Sequence, residues 1–251
     1  MYKIWTYITD PVWNNEFSYQ ERIALWSVGK IFVPSLITWS LDDLEEWSEI
    51  VFEEALNWKL ISCTWLKHFV QLEYEWIPIY IVDNHNHALT FWIQKQKTPL
   101  IKWSHTESRK AGGETKKDVT LIHIDQHSDS KPNSEKLDGD RENFVYTKTN
   151  VGNFITGAVN SWIVNKVIQV RTDYTLQQLQ TLNFELWTII VDIDVDFRTC
   201  LSNRRVDKEI TPEDIQIIRS LIKKAKLVTI ATSPYFIDQK KAIGIIKKIL
   251  L

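Results

Sequence analysis

Three stretches of this chain read as buried strands, and each runs directly into a cluster of acids, amides or histidines. Ile77–Val82 leads into Asp83, Asn84, His85, Asn86 and His87. Val119–Ile124 leads into Asp125, His127 and Asp129. Thr188–Val195 carries Asp192 and Asp194 and is followed at once by Asp196. Ile163–Val170 and Leu227–Ala231 are two more β-branched runs of the same kind. Near-continuous hydrophobicity is what a strand covered on both faces requires, and it predicts a mainly parallel sheet. In open sheets of that type, ligands bind beyond the carboxyl ends of the strands. The polar clusters fall at those ends.

Helical patterns lie between some of these runs. Ser40-Leu41-Asp42-Asp43 reads as a capping box, with Leu44, Trp47, Ile50, Val51 and Trp58 on one broad face of the helix it would start. Thr211-Pro212-Glu213-Asp214 is a second helix start, followed by an apolar stripe of Ile215, Ile218, Leu221, Ile222 and Ala225. Residues 238–251 read as a closing helix with Ile243, Ile246, Ile249 and Leu250 inward. Two polar stretches, 102–118 and 130–150, read as loops long enough to serve function. The expected class is α/β, a three-layer αβα arrangement around a mainly parallel sheet. With no repeat and no linker, 251 residues read as one domain, of which residues 1–76 carry no recognisable motif.

Composition narrows the chemistry. The formal net charge of −2, with acids and bases interspersed, gives no basic face for nucleic acid. Only Cys63 and Cys200 are present, so neither a disulfide framework nor a thiolate zinc site is expected. The N-terminal stretch lacks a signal-peptide core, and no apolar run approaches about 18 residues. A cytoplasmic protein without a membrane span is the expectation. Twelve Trp point to aromatic-rich packing, with some rings beside a cleft.

Asp192, Asp194 and Asp196 alternate, so on a strand they share one face, among Ile190, Val191, Ile193, Val195 and Phe197. Like charges that close in apolar surroundings oppose joint ionisation. No Lys or Arg lies on the run, and Arg198 falls beyond it. A divalent cation is the simplest compensation. Taken singly, a strand-end Asp is usually a turn residue and a His on an apolar run is usually a hydrogen-bonded core residue. Three such clusters together predict a metal site. Carboxylates with imidazole and no thiolate suit Mn²⁺ or Zn²⁺ better than Mg²⁺. About five carboxylates and two His exceed one ion's needs and suit two ions roughly 3.5–4 Å apart.

At these residues the chain resembles the ureohydrolase (arginase-like) superfamily, which shares its general fold with deacetylases. The likeness covers about residues 77–251 and rests on His85, then Asp125/His127/Asp129, then Asp194/Asp196. The wording DNHNHAL, HIDQHSD, VGNFITGAV, VDIDVDF and ATSPYFID is similar to its peptide arginase branch, which hydrolyses arginine side chains of ribosomally made precursor peptides to ornithine. The resemblance implies two Mn²⁺ per chain. Asp125 and Asp194 would bridge them, His85 and Asp129 would complete one site, and His127 and Asp196 the other. Asp129 would also relay the proton. The family's Gly-Asn-x-His-Gly segment appears here as Gly152-Asn153-Phe154-Ile155-Thr156-Gly157, without its His. His87 is the candidate proton shuttle and Asn153 a candidate substrate ligand. His123 has the parity to face the site and is expected as core or supporting residue. No Glu opens the late segment that would grip a guanidinium, which leaves Asp238 and Asp192 as candidates. Each has a second reading, Asp238 as a helix cap and Asp192 as a support for a metal-bound imidazole.

The expected function is therefore attack of a bridging hydroxide on the guanidinium carbon of a peptide arginine, releasing urea. The Trp-rich N-terminal region and the polar loops would shape an open cleft for the peptide. Two alternatives keep the site: a hydrolase of a free guanidino compound or an acylated amine, and a metal-binding scaffold without turnover.

Overall fold

A computed structural model describes residues 2–38, 40–95, 119–137, 139–182, 188–197 and 210–251. The expected loop 102–118, Arg198 and Cys200 lie outside the described residues. In chain order the strands are β1 (Thr6–Ile8), β2 (Ile31–Val33), β3 (Ser35–Thr38), β4 (Glu46–Leu56), β5 (Lys59–Leu66), β6 (His68–Tyr74), β7 (Ile77–Val82), β8 (Val119–Ile124), β9 (Lys166–Val170), β10 (Thr188–Asp194) and β11 (Leu227–Ala231). The helices are α1 (Tyr19–Ala24), α2 (Ala88–Lys95), α3 (Arg141–Lys148), α4 (Phe154–Asn160), α5 (Asp173–Gln178), α6 (Pro212–Ile222) and α7 (Gln239–Leu250).

Seven strands form one sheet in the order β3-β6-β7-β11-β10-β8-β9. Every pairing in it is parallel except β6 with β7. The sheet is thus mixed and mostly parallel. Side-chain parity splits it into two buried faces. Ile79, Ile81, Ile122, Ile124, Val191 and Ile193 pack with α6 and α7 in one core. Tyr80, Val82, Leu121, Ile190 and Ala231 pack with α2, α3 and α4 in the other. Helices on both faces are why these strands read as continuous apolar runs. β3 and β6 come from the first 76 residues, so that part of the chain extends the central sheet.

Some expectations are met and some corrected. β7, β8 and β11 have the expected bounds, β9 begins three residues later than expected, and β10 ends one residue earlier. Thr211 does cap α6 through Asp214, although Ile217 is buried and Ile215 only half-buried. In α7, likewise, Ile245 faces inward and Ile243 is half-buried. The stretch 130–150 contains α3 and is not all loop. The Ser40 capping box also forms, but it closes a single 3-10 turn, Leu41–Asp43. The chain then enters β4, not a helix. β4 and β5 make an antiparallel hairpin turning at Asn57 and Trp58, with φ of 51° and 61°. β6 and β7 turn the same way at Glu75 and Trp76, with φ of 48° and 69°. Two central residues at positive φ match the twist of two-residue hairpins.

A buried ion pair ties the hairpin to the chain before it. Arg22 and Glu53 are 0% and 2% exposed and meet at 2.9 Å. Arg22 also donates to the Phe17 carbonyl and to Asn15, while Ser62 donates to Glu53. Removing one partner of such a pair leaves an uncompensated buried charge. Arg22→Ala is expected to cost about 3–5 kcal/mol, read as a lowered urea midpoint.

Candidate metal centre

The sheet register sets the floor of the site. Asp192 of β10 lies opposite His123 of β8 and Thr229 of β11. All three share the face toward α2 and α4, and all are fully enclosed. Asp192 must therefore find its partners inside the protein. Its Oδ2 lies 2.8 Å from His123 Nδ1, and its Oδ1 accepts from the Thr229 hydroxyl at 2.6 Å. Trp92 of α2 donates its indole N–H to Thr229 at 3.1 Å. His85 Nε2 is also 2.8 Å from Asp192 Oδ2, although off the N–H line of an ideal hydrogen bond.

That contact turns the other edge of the His85 ring toward the strand ends. His85 Nδ1 lies 3.1 Å from Asp125 Oδ2 and 3.2 Å from both Asp129 Oδ2 and Asp194 Oδ2. Beside this group, His127 Nδ1 lies 3.5 Å from Asp125 Oδ1 and 3.1 Å from Asp196 Oδ2. Asp125 thus gives one oxygen to each group. The donors form two clusters able to hold a metal, His85/His123/Asp125/Asp129 and Asp125/His127/Asp196. Adjacent ligands of an octahedral ion at about 2.1 Å sit about 3 Å apart, close to the observed spacing. The donor chemistry agrees, being oxygen-rich with imidazole and no thiolate.

Local backbone arranges these atoms. Asp125 accepts from the His127 N–H at 2.6 Å, and Asp194 accepts from the Asp196 N–H at 3.0 Å. β10 ends at Asp194, so Asp196 reaches the site from the following turn and not from the strand itself. Asp129 and Ser233 both adopt positive φ, 48° and 45°. Ser233 donates its hydroxyl to Asp194, and the Asp129 carbonyl accepts from Ile155 N–H at 3.2 Å. Non-glycine residues held in that region store strain, and such residues gather at functional sites.

The electrostatics show a surplus of negative charge. Five carboxylates (Asp125, Asp129, Asp192, Asp194, Asp196) meet three imidazoles (His85, His123, His127). Burial would lower the imidazoles, yet the carboxylates outweigh it. Asp192 leads in raising His85 well above its usual value, and Asp125 and Asp196 carry His127 to about 11. Asp125 is also buried, but hydrogen bonds from His123, His127 and His85 hold it well below the carboxylate range. Burial and then Asp125 push Asp129 up to about 6. Burial, Asp194 and Asp125 push Asp196 well above its usual range. Two carboxyls raised by burial and by neighbouring carboxylates mark room for further positive charge.

One side of the cluster is open. A cavity of about 370 Å³ reaches His85, His127, Asp129 and Asp194. The His127 and Asp129 side chains are 34% and 11% exposed, against 0–4% for His85, Asp125, Asp194 and Asp196. Phe17, Phe52, Tyr235 and Phe236 line the cavity, with the Phe236 ring centred 4.3 Å from that of His127 and tilted 32° to it. Among the described residues, Glu54, Lys131 and Arg171 are the charged residues that line it besides the cluster.

The structure thus brings together His85, Asp125, His127, Asp129, Asp194 and Asp196. It places the other candidates elsewhere. His87 does not line the cavity. It lies buried behind His85, 2.7 Å from Tyr2 Oη and 3.1 Å from Asp83, edged by Trp13. Asp192 is enclosed beneath the cluster and supports His85 and His123. Asn153 accepts from the Asn150 N–H, and it is Val151 and Gly152 that line the cavity. Asp238 caps α7, accepting from Lys241 N–H. Glu54 was not foreseen, because its stretch reads as a helix. No helix among the described residues is long and apolar enough to cross a membrane. Compared with protein-family models, curated proteins and solved structures, the chain matches none.

Ligand binding to the native state alone raises stability. Mn²⁺ at about 100 times its Kd is expected to lift the thermal midpoint by about 5–10 °C. Asp125→Ala should abolish that lift, whereas Asp238→Ala, a cap loss of about 1 kcal/mol, should keep it. Ions must displace protons from the imidazoles and Asp129, so affinity should rise with pH throughout the range below about 11, where His127 holds its proton, and fall more steeply below about 6, where Asp129 does too. Calorimetric titrations at several pH values check the sign.

Proposed function

We propose that this protein is a dinuclear-manganese hydrolase of arginase-like fold that converts arginine side chains of a precursor peptide to ornithine and urea. The observation that carries the reading is the Asp125 carboxylate, whose two oxygens face two donor groups that share one open cavity. His85 and Asp129 would hold one ion and His127 and Asp196 the other, with Asp125 and Asp194 common to both. Such a pair supplies a nucleophile from water at neutral pH and a Lewis acid for the developing charge.

The chain's own residues supply the rest. Asp129 stands at the open edge, where it takes a proton from the attacking water and hands it to the departing amine. The products balance: water and the guanidino group give urea and the ornithine amine. Asp192 holds the His85 ring in place from below, and Ser233 steadies Asp194. The aromatic wall of Phe52, Tyr235 and Phe236 suits an aliphatic stem and a planar cation. His87 takes no part in proton transfer in this scheme, because it is turned toward Tyr2.

Mass spectrometry of arginine peptides incubated with Mn²⁺-loaded protein tests this. The expected result is a loss of about 42 Da per converted arginine, abolished in Asp194→Ala. An unchanged peptide mass under full metal loading would reject it, and turnover of agmatine or an acetyl-lysine peptide instead would redirect the assignment.

A further inference from the structure

Among the described residues, the cavity contains one carboxylate that the donor cluster does not use. β4 parity puts Phe52 and Glu54 on its wall. Val51 and Glu53 turn the other way, Val51 into the core and Glu53 onto Arg22. Of two adjacent glutamates, one is thus structural and one faces the cavity. Among the described residues no Lys or Arg is paired with Glu54. Its neighbour is Tyr235, whose phenol burial and then Glu54 push up to about 12.

Height above the floor says what Glu54 can meet. The Val51 carbonyl accepts from Asn84 at 3.0 Å, and Asn84 adjoins His85. β4 is irregular at Val51 and regular from Phe52 on, which places Glu54 about 7–10 Å further along. An extended arginine side chain spans about 6 Å from Cα to its guanidinium carbon. With that carbon at the metal cluster, Glu54 stands near the level of the α-carbon and its neighbours. The opposite rim carries the contrary charge. Arg171 follows β9 and Lys131 lies beyond β8, whereas Tyr235 follows β11. β11 and β9 are three strand spacings apart, about 14 Å.

We propose that Glu54 is a specificity residue, taking a positively charged group beside the α-carbon of the residue whose side chain enters the cavity. That group is either the residue's own α-ammonium or a neighbouring basic side chain, and Lys131 and Arg171 repel it from the far rim. The aromatic surroundings of Glu54 strengthen the attraction over one in open water. This rests on the peptide arginase reading for the position of the target side chain.

The test uses the Mn²⁺-loaded full chain and five probes. They are acetyl-Gly-Arg-Gly-amide, acetyl-Lys-Arg-Gly-amide, acetyl-Gly-Arg-Lys-amide, acetyl-Glu-Arg-Gly-amide and Arg-Gly-amide with its free α-ammonium. Where urea appears, preference is read as kcat/KM; where none appears, it is read as Kd by calorimetry. At least one cationic probe should exceed the uncharged one by about fivefold, and the acidic probe should not. The advantage should fall to about one in Glu54→Gln, reverse in Glu54→Lys and partly return in Glu54→Asp. Thermal midpoints confirm that each variant is folded. Preference for Arg-Gly-amide identifies an α-ammonium, and preference for a lysine-bearing probe identifies a flanking side chain. An advantage unchanged in Glu54→Gln, no advantage in the wild type, or no binding of any probe would overturn the proposal. Glu54-dependent binding without urea would leave it standing and remove the hydrolytic reading instead.

Discussion

A carboxylate with no access to water, Asp192, is the constraint on which the site depends. In the middle of a sheet whose neighbours are Ile190, Val191 and Ile193, it is stable only if its oxygens are satisfied from within. The parallel register supplies His123 on one side and Thr229 on the other, and α2 secures Thr229 through Trp92. The remaining contact is to His85. Burial would raise Asp192, but His85 and His123 draw it down to about 2, so it stays ionised. A fixed negative charge then lies 2.8 Å from His85 Nε2 and leaves Nδ1 toward the strand ends. The sheet thereby decides which edge of one imidazole faces Asp125, Asp129 and Asp194.

Much of this was legible because strands have a period of two. Apolar runs covered on both faces can be read directly, and their ends locate Asp125 and Asp129, although both follow β8 on a bend, with Asp129 at φ 48°, and not on the strand itself. Beyond β7 the same strand period misplaces His87. It lies two residues from His85, which on a strand would mean the same face. The segment is a 3-10 turn, in which each residue rotates about 120°, so His87 points away toward Tyr2. Nothing in DNHNHAL distinguishes the two geometries. The Ser40 box misled in a related way. Its hydrogen bonds need only one turn, so they form identically whether a helix or a strand follows.

The hairpins were illegible for another reason. Asn57-Trp58 and Glu75-Trp76 occupy turns that usually favour glycine at the second position. A bulky residue there costs backbone energy that the local sequence does not repay, so pairing across each hairpin and packing onto it must do so. β4 pairs with β5, while Phe52 rests on Phe17 and Tyr235. Those contacts are remote in sequence. Missing β4 meant missing Glu54, because on a helix Phe52 and Glu54 would not share a face.

The two halves of the cavity therefore have different origins. Its floor comes from strand ends of the central sheet, and its wall from Phe17, the β4–β5 hairpin and the loop after β11. The N-terminal segment joins them. Tyr2 meets His87, Asn14 donates to Asn86 at 2.8 Å, and Arg22 holds Glu53. The turn that carries His85 is thus clamped between the sheet below and the first residues of the chain above. Glu53 and Val51 make the polar contacts to Arg22 and Asn84, whereas Phe52 meets the N-terminal segment only through the Phe17 ring. A wall built this way can vary in charge and shape while the donor geometry beneath it stays fixed. That separation is what a metal centre needs if one chemistry is to be aimed at one particular side chain.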